Sequence, residues 1–147
     1  MTFKELLSKL EDSLDDSKVA IFATVDTEGK PHMRWLTPTY LKGKNGFIYA
    51  LTSPEFSKVE HIEKNPNVQW LVQNRALNKI MTASGEARII DNPSFKTEVI
   101  EGIGRNLDIF WRVNPNEQDL VIIETKLTDI HLHQPIDDVS ERAGRES

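Results

Sequence analysis

Between residues 19 and 132 the chain keeps returning to short runs of β-branched and aromatic residues, interrupted by only two clear helical stretches. That pattern confines it to a mostly antiparallel sheet, because parallel pairing needs a crossover helix between successive strands. Val19-Ala20-Ile21-Phe22-Ala23-Thr24-Val25 is apolar almost throughout and reads as a strand buried on both faces. After the turn Glu28-Gly29-Lys30-Pro31, a second strand is predicted over residues 32–41. Met33, Trp35, Thr37 and Thr39 fall on one of its faces, and Arg34, Leu36 and Tyr40 on the other. Pro38 lies inside that run and cannot donate a ladder hydrogen bond, which marks a bulge or an edge. Asn45-Gly46 is a strong hairpin signal, so residues 47–51 are expected to return as a third strand. Further strands are predicted over 68–73, over 79–90 with an interruption at Ser84-Gly85, and over 120–132. Strands this long hide their edges best by closing into a barrel.

The helices announce themselves at their starts. Phe3, Leu6, Leu7, Leu10 and Leu14 recur at spacings of three and four, with Thr2 and Glu5 placed for a capping box. Thr52-Ser53-Pro54-Glu55 predicts a second helix, with Ser53 as cap, Pro54 at the first helical position and a stripe of Phe56, Val59 and Ile62. Asn65-Pro66 stops it. Asn92-Pro93 opens a third, carrying Phe95, Val99, Ile100 and Ile103, and residues 107–111 suggest one more helical turn. Beyond 133 the chain is polar, so we expect one domain over 1–133 and a loose tail over 134–147.

Composition closes off several function classes. The chain has 147 residues and no cysteine, so disulfides, thiolate metal sites and cysteine nucleophiles are absent. A net charge of -5 argues against a nucleic-acid partner, since phosphate backbones need a basic face. No segment has the apolar length of a membrane span, and the first residues lack the run of a signal peptide, so a cytoplasmic protein is expected. His131 and His133 share a strand face but lack a third ligand, and no metal site is expected. Gly102-Ile103-Gly104 follows a helix, not a strand, and is no dinucleotide fingerprint. His61 falls on the polar side of its helix and reads as a surface residue. Of Trp35, Trp70 and Trp111, each able to stack on a ligand or to serve as core, Trp35 is the one expected beside a ligand.

One constellation points to chemistry. Ser57 and Lys58 fall in the opening turns of the second helix, where unpaired N–H groups and the helix dipole favour an anion. Arg34, on the neighbouring strand, could add a planar fork. The pattern leaves two readings open, a phosphate site or solvated surface charges.

Residues 19–74 resemble the flavin-binding split barrels related to pyridoxamine 5'-phosphate oxidase, especially the small general-stress-protein-like members. The likeness rests on Ala20-Ile21-Phe22-Ala23-Thr24-Val25 with Glu28-Gly29-Lys30-Pro31, then Arg34, then Phe47-Ile48-Tyr49, then Ser57-Lys58-Val59-Glu60-His61-Ile62 running on to Val68. It implies a mainly β fold with flanking helices, an antiparallel split β-barrel, with FMN held between the two subunits of a homodimer. Arg34 and Lys58 would hold the phosphate, with Ser57 standing where the family often has Arg. Trp35, Leu36 and Thr37 would line the ring, Tyr49 and the backbone at Thr52 would flank the ribityl chain, and Lys79 would reach over from the partner. Related barrels bind a deazaflavin or haem instead, and a non-enzymatic flavin-binding or stress module is the further alternative. The Arg-Leu-His-Asp-Arg-like substrate motif of true pyridoxamine phosphate oxidases has no match here, since the tail reads Asp137-Asp138-Val139-Ser140-Glu141-Arg142. An FMN-dependent oxidoreductase without that oxidase activity is therefore the expectation.

Overall fold

The computed structural model describes residues 1–54, 56–104 and 119–146. Helix α1 (Phe3–Ser17) starts at the predicted capping box: Thr2 Oγ1 accepts from the Glu5 N–H at 3.2 Å, and the Glu5 carboxylate accepts from the Thr2 N–H at 3.4 Å. Its stripe of Phe3, Leu6, Leu7, Leu10 and Leu14 is buried. Strands β1 (Ala20–Val25), β2 (Pro31–Leu36) and β3 (Phe47–Thr52) follow, then α2 (Ser57–Lys64), β4 (Asn67–Gln73) and β5 (Ile80–Ile90). Helix α3 (Pro93–Ile103), capped by the Asn92 side chain, precedes β6 (Val121–Gln134) and β7 (Val139–Gly144).

All neighbouring strands run antiparallel, in the order β2-β1-β4-β5-β6-β3, with β7 also on β6. The 14-residue β6 holds the sheet together: β5 lies along one edge, while β3 and β7 share the other, opposite residues 121–126 and 129–134. The two ends of the sheet, β2 and β3, curl toward each other and meet at one bridge between Thr39 and Tyr49, with N···O distances of 2.7 and 2.8 Å. The barrel is thus split, as expected. Ser84-Gly85 marks the β-bulge in β5, where a Cβ on Gly85 would collide with the Lys126 carbonyl.

Two cores result. Phe22, Trp70, Met81, Leu127 and Ile130 fill the inside of the sheet together with the α1 stripe. Tyr49, Leu51, Leu120 and Ile122 pack under Val99 and Ile100 of α3.

Several expectations need correction. Strand β2 ends at Leu36, not Leu41, because Pro38 withholds the N–H that would continue the ladder. The predicted β2–β3 hairpin shrinks to the single Thr39–Tyr49 bridge: Asn45-Gly46 does turn the chain, with Gly46 at φ 81°, but it delivers β3 to β6. β1 is buried on one face only, since Ala20, Phe22 and Thr24 point inward while Ile21, Ala23 and Val25 stay partly exposed. Helix α2 begins at Ser57, with Ser53-Pro54 left in the preceding turn and Phe56 at the N-cap making no side-chain cap. Phe56 is exposed and not part of the stripe. The segment read as a loose tail contains β7, whose Ala143 joins the main core. Arg145 fastens its end, donating to the carbonyls of Leu127 at 2.7 Å and Gly46 at 2.6 Å. The predicted helical turn at 107–111 lies outside the described residues.

Candidate functional site

Helix α2 follows β3 after a tight turn in which the Phe56 N–H donates to the Ser53 carbonyl at 3.2 Å. Its first-turn amides carry the positive end of the helix dipole. Ser57 is exposed there, while Lys58 is only 6% exposed, with its Nζ 4.1 Å from the Phe56 ring centroid. Burial, and then the charge of Arg34, push the Lys58 amine down to about 8. Arg34 reaches in from β2 and is itself half-buried, so desolvation lowers its affinity for its proton. Its Nη1 donates to Thr24 Oγ1 at 2.8 Å and to the carbonyls of Phe22 and His32 at 3.3 Å. Among the described residues no carboxylate pairs with either cation. Two converging cations, one of them buried, are costly without a counter-charge.

The last residue of β3 adds a second unmet demand. Thr52, 1% exposed, holds a buried hydroxyl with no hydrogen-bond partner among the described residues. An anionic, oxygen-rich group at the start of α2 would answer the two cations, and phosphate has that chemistry.

The other expected site residues are dispersed. Trp35 is 66% exposed and Met33 72%, on the outer face of β2. Trp35 stands opposite Ile21, which stands opposite Leu71, and the three line a surface groove of about 360 Å³ with Ser17 and Asn74. That volume falls within the usual range for small-molecule sites. Leu36 packs against the main core, and Thr37 sits with Pro38, Tyr40 and Gly102 near the start of the Thr39 bridge. Tyr49 lies elsewhere: its ring packs edge-on against Phe95 at 5.1 Å, and its hydroxyl donates to Glu124 at 3.1 Å. Only its backbone could flank a ligand held at the other face of β3. Lys79 lies in the β4–β5 turn beside Asp12 and Asp16.

Four residues that the sequence did not assign to the site complete the cluster. His61 is buried at 7% exposure, not a surface residue, and its Nδ1 lies 2.8 Å from Thr24 Oγ1. The His32 ring lies tilted beside it, ring centroids 4.8 Å apart, and its Nε2–H donates to Asp26 at 2.8 Å. That hydrogen bond, with the N–H groups of Lys30 and Glu28, holds the Asp26 carboxyl down to about 2. The signal for Thr24 was available: a hydroxyl at an inward position of an apolar strand needs a partner.

The buried lysine sets a pH dependence of folding. Between about 8 and the usual 10.5, an unfolded chain keeps the proton that folded Lys58 has released. Stability should therefore rise with pH through the lower part of that window. At its top, Tyr40 and Tyr49, both pushed up, ionise first in the unfolded chain and reverse the trend. Urea midpoints should climb from neutral pH to about pH 10 in the wild type and stay flatter in Lys58→Met. Parallel curves would show that Lys58 is solvated.

An antiparallel split barrel with a cationic helix-start site defines the class. The family model described as pyridoxamine 5'-phosphate oxidase matches residues 6–134, and the chain belongs to that family. General stress protein 26 of Bacillus subtilis (strain 168) is 32% identical over 135 residues, covering 90% of this chain and 91% of that protein. The crystal structure of General Stress Protein 26 from Bacillus anthracis str. Sterne is 22% identical and superposes with a TM-score of 0.69, over 95% of this chain and 97% of that one. A pyridoxamine 5'-phosphate oxidase-related, FMN binding protein from Nostoc punctiforme PCC 73102 shares the fold at 14% identity and a TM-score of 0.66, over 94% and 85% of the two chains. Among the described residues no helix is long and apolar enough to cross a membrane.

Proposed function

We propose that this protein is an FMN-binding flavoprotein, working as a cytoplasmic homodimer in flavin-dependent redox chemistry. The observation that carries the reading is the convergence of Arg34 and buried Lys58 at the start of α2, with no carboxylate paired to either among the described residues. Arg34, Ser57 and Lys58 would grip the phosphate, and the Thr52 hydroxyl would find its partner on the same ligand. When bound, FMN supplies the electron transfer through its ring. Trp35, Leu36 and Thr37 would set the position of that ring along β2, and exclude water from it once covered. A second copy of the chain is the natural cover, because exposed Met33 and Trp35 form an apolar face that isologous pairing would bury. Lys79 of the second copy would then reach the site. Lacking the substrate motif, the protein is not expected to make pyridoxal phosphate in an aerobic assay.

The test is direct. Purified protein should show a flavin spectrum, release FMN on denaturation, and scatter light as a dimer; cell fractionation should place it with soluble cytoplasmic proteins. A protein that retains no FMN even after soaking, or that shows deazaflavin or haem bands instead, would overturn the cofactor assignment. A flavin-loaded monomer would overturn the homodimer.

A further inference from the structure

Arginine is donor-only, so the Oγ1 of Thr24 must accept from Arg34 Nη1 at 2.8 Å. The same oxygen lies 2.8 Å from His61 Nδ1. Thr24 and His61 are 1% and 7% exposed, which leaves little room for water to intervene. A hydroxyl oxygen can accept twice, but the Thr24 hydroxyl makes no other hydrogen bond among the described residues, so its one hydrogen is satisfied only by Nδ1, which is then unprotonated. The ring proton therefore sits on Nε2 and the imidazole is neutral. Its surroundings agree: burial, His32 and Arg34 disfavour the charged ring and outweigh Asp26 and Glu60. The relay has a consequence at its other end. All of Arg34's hydrogen bonds among the described residues use Nη1, so Nε and Nη2 stay available as a two-pronged edge. Lys58 lies three residues before His61 on the same side of α2 and feels the charge of Arg34.

We propose that His61 and Thr24 are positioning residues for the anion site: neutral His61 orients the Thr24 hydroxyl, which locks Arg34 so that its free edge faces the phosphate. The proposal rests on the phosphate reading above and extends it to two residues that would not touch the ligand. Thr24→Val removes the hydroxyl at constant shape, and His61→Leu removes the acceptor. Each should weaken FMN by about 3- to 10-fold and leave riboflavin unchanged, since riboflavin lacks the phosphate. Combined, they should cost little more than either alone, because they break one relay. His61→Asn, which returns an acceptor near the Nδ1 position, should restore FMN binding to within about twofold. Ring nitrogen NMR of the wild type should show Nδ1 unprotonated and Nε2 protonated. A protonated Nδ1, an equal loss of both ligands, or a failure of His61→Asn to rescue would overturn the proposal. Lys58→Ala, measured in parallel, separates the two ideas. If it weakens FMN while Thr24→Val and His61→Leu do not, the relay alone is wrong; if it leaves FMN unchanged, the phosphate reading falls and the relay's ligand role with it.

Discussion

Lys58→Ala should weaken FMN binding by about 10- to 100-fold while riboflavin binding stays within about twofold of the wild type. The reasoning is that riboflavin shares the ring and ribityl chain and differs by the phosphate alone. A charge-assisted hydrogen bond contributes roughly 1.5–3 kcal/mol, and Lys58 is buried where such a bond is little screened. Arg34→Ala should produce a loss of the same order. The two losses should fall short of adding, because both side chains serve one ligand group. Added salt should weaken FMN more than riboflavin. Thermal melts guard against a misreading: Lys58→Ala removes a buried charge that has no carboxylate partner among the described residues, so the ligand-free fold should not lose stability at neutral pH. Flavin fluorescence quenching with both ligands checks the result. Equal affinities for wild type and both variants would mean that the two cations are ordinary surface charges, and the phosphate site would be withdrawn.

Trp70→Ala is expected to cost the most stability of any single truncation in the main core, about 3–5 kcal/mol. Trp70 is fully buried and lies 4.4 Å, centroid to centroid, from the Phe22 ring. Its Nε1–H donates to Thr125 Oγ1 at 3.1 Å, across from β4 to β6. Truncation opens a cavity and leaves the fully buried Thr125 hydroxyl without its donor. Against the roughly 5–15 kcal/mol of a typical domain, that loss should leave a substantial unfolded population on modest warming. Trp70→Phe, which fills most of the space, should lose about 1–3 kcal/mol. Urea denaturation of the three proteins measures both numbers. A cost below about 1 kcal/mol for the alanine variant would mean that the site collapses around the deletion, contrary to the close packing seen here.

What could be read in advance followed from local rules. The α1 stripe and its capping box and the start of α3 at Asn92-Pro93 depend on neighbours in sequence, and each appeared as expected, while the interruption expected at Ser84-Gly85 took the form of a bulge within a continuous strand. Pairing was harder. Asn45-Gly46 specifies a turn but not which strand accepts the returning chain, and β6 outcompeted β2 because Pro38 breaks the nearer ladder. β7 was missed because an edge strand with one solvated face has the composition of a tail; only Ala143 of it is buried. Of the side chains that the structure gathers around α2, Lys58 and Arg34 were expected together from type and spacing, but Thr24 and His61 were not. Their meeting depends on α2 lying across β1, a tertiary contact that no local periodicity encodes.

The place of β6 in the chain also shapes how the molecule can be made. Strands β1, β2, β4 and β5 are complete by Ile90 and pair among themselves. β3 has left the ribosome before β4 and β5, yet its ladder partner spans residues 121–126. Until that segment is synthesised, β3 is an apolar strand with an unsatisfied backbone edge, bridged at most through Thr39. The pairing that completes the sheet is thus among the least local in the chain, and closing so long a loop slows folding. A ribosome that stalls before β6 emerges would display that edge to any strand nearby, so the nascent chain stays prone to aggregate until residues 121–126 are free to pair.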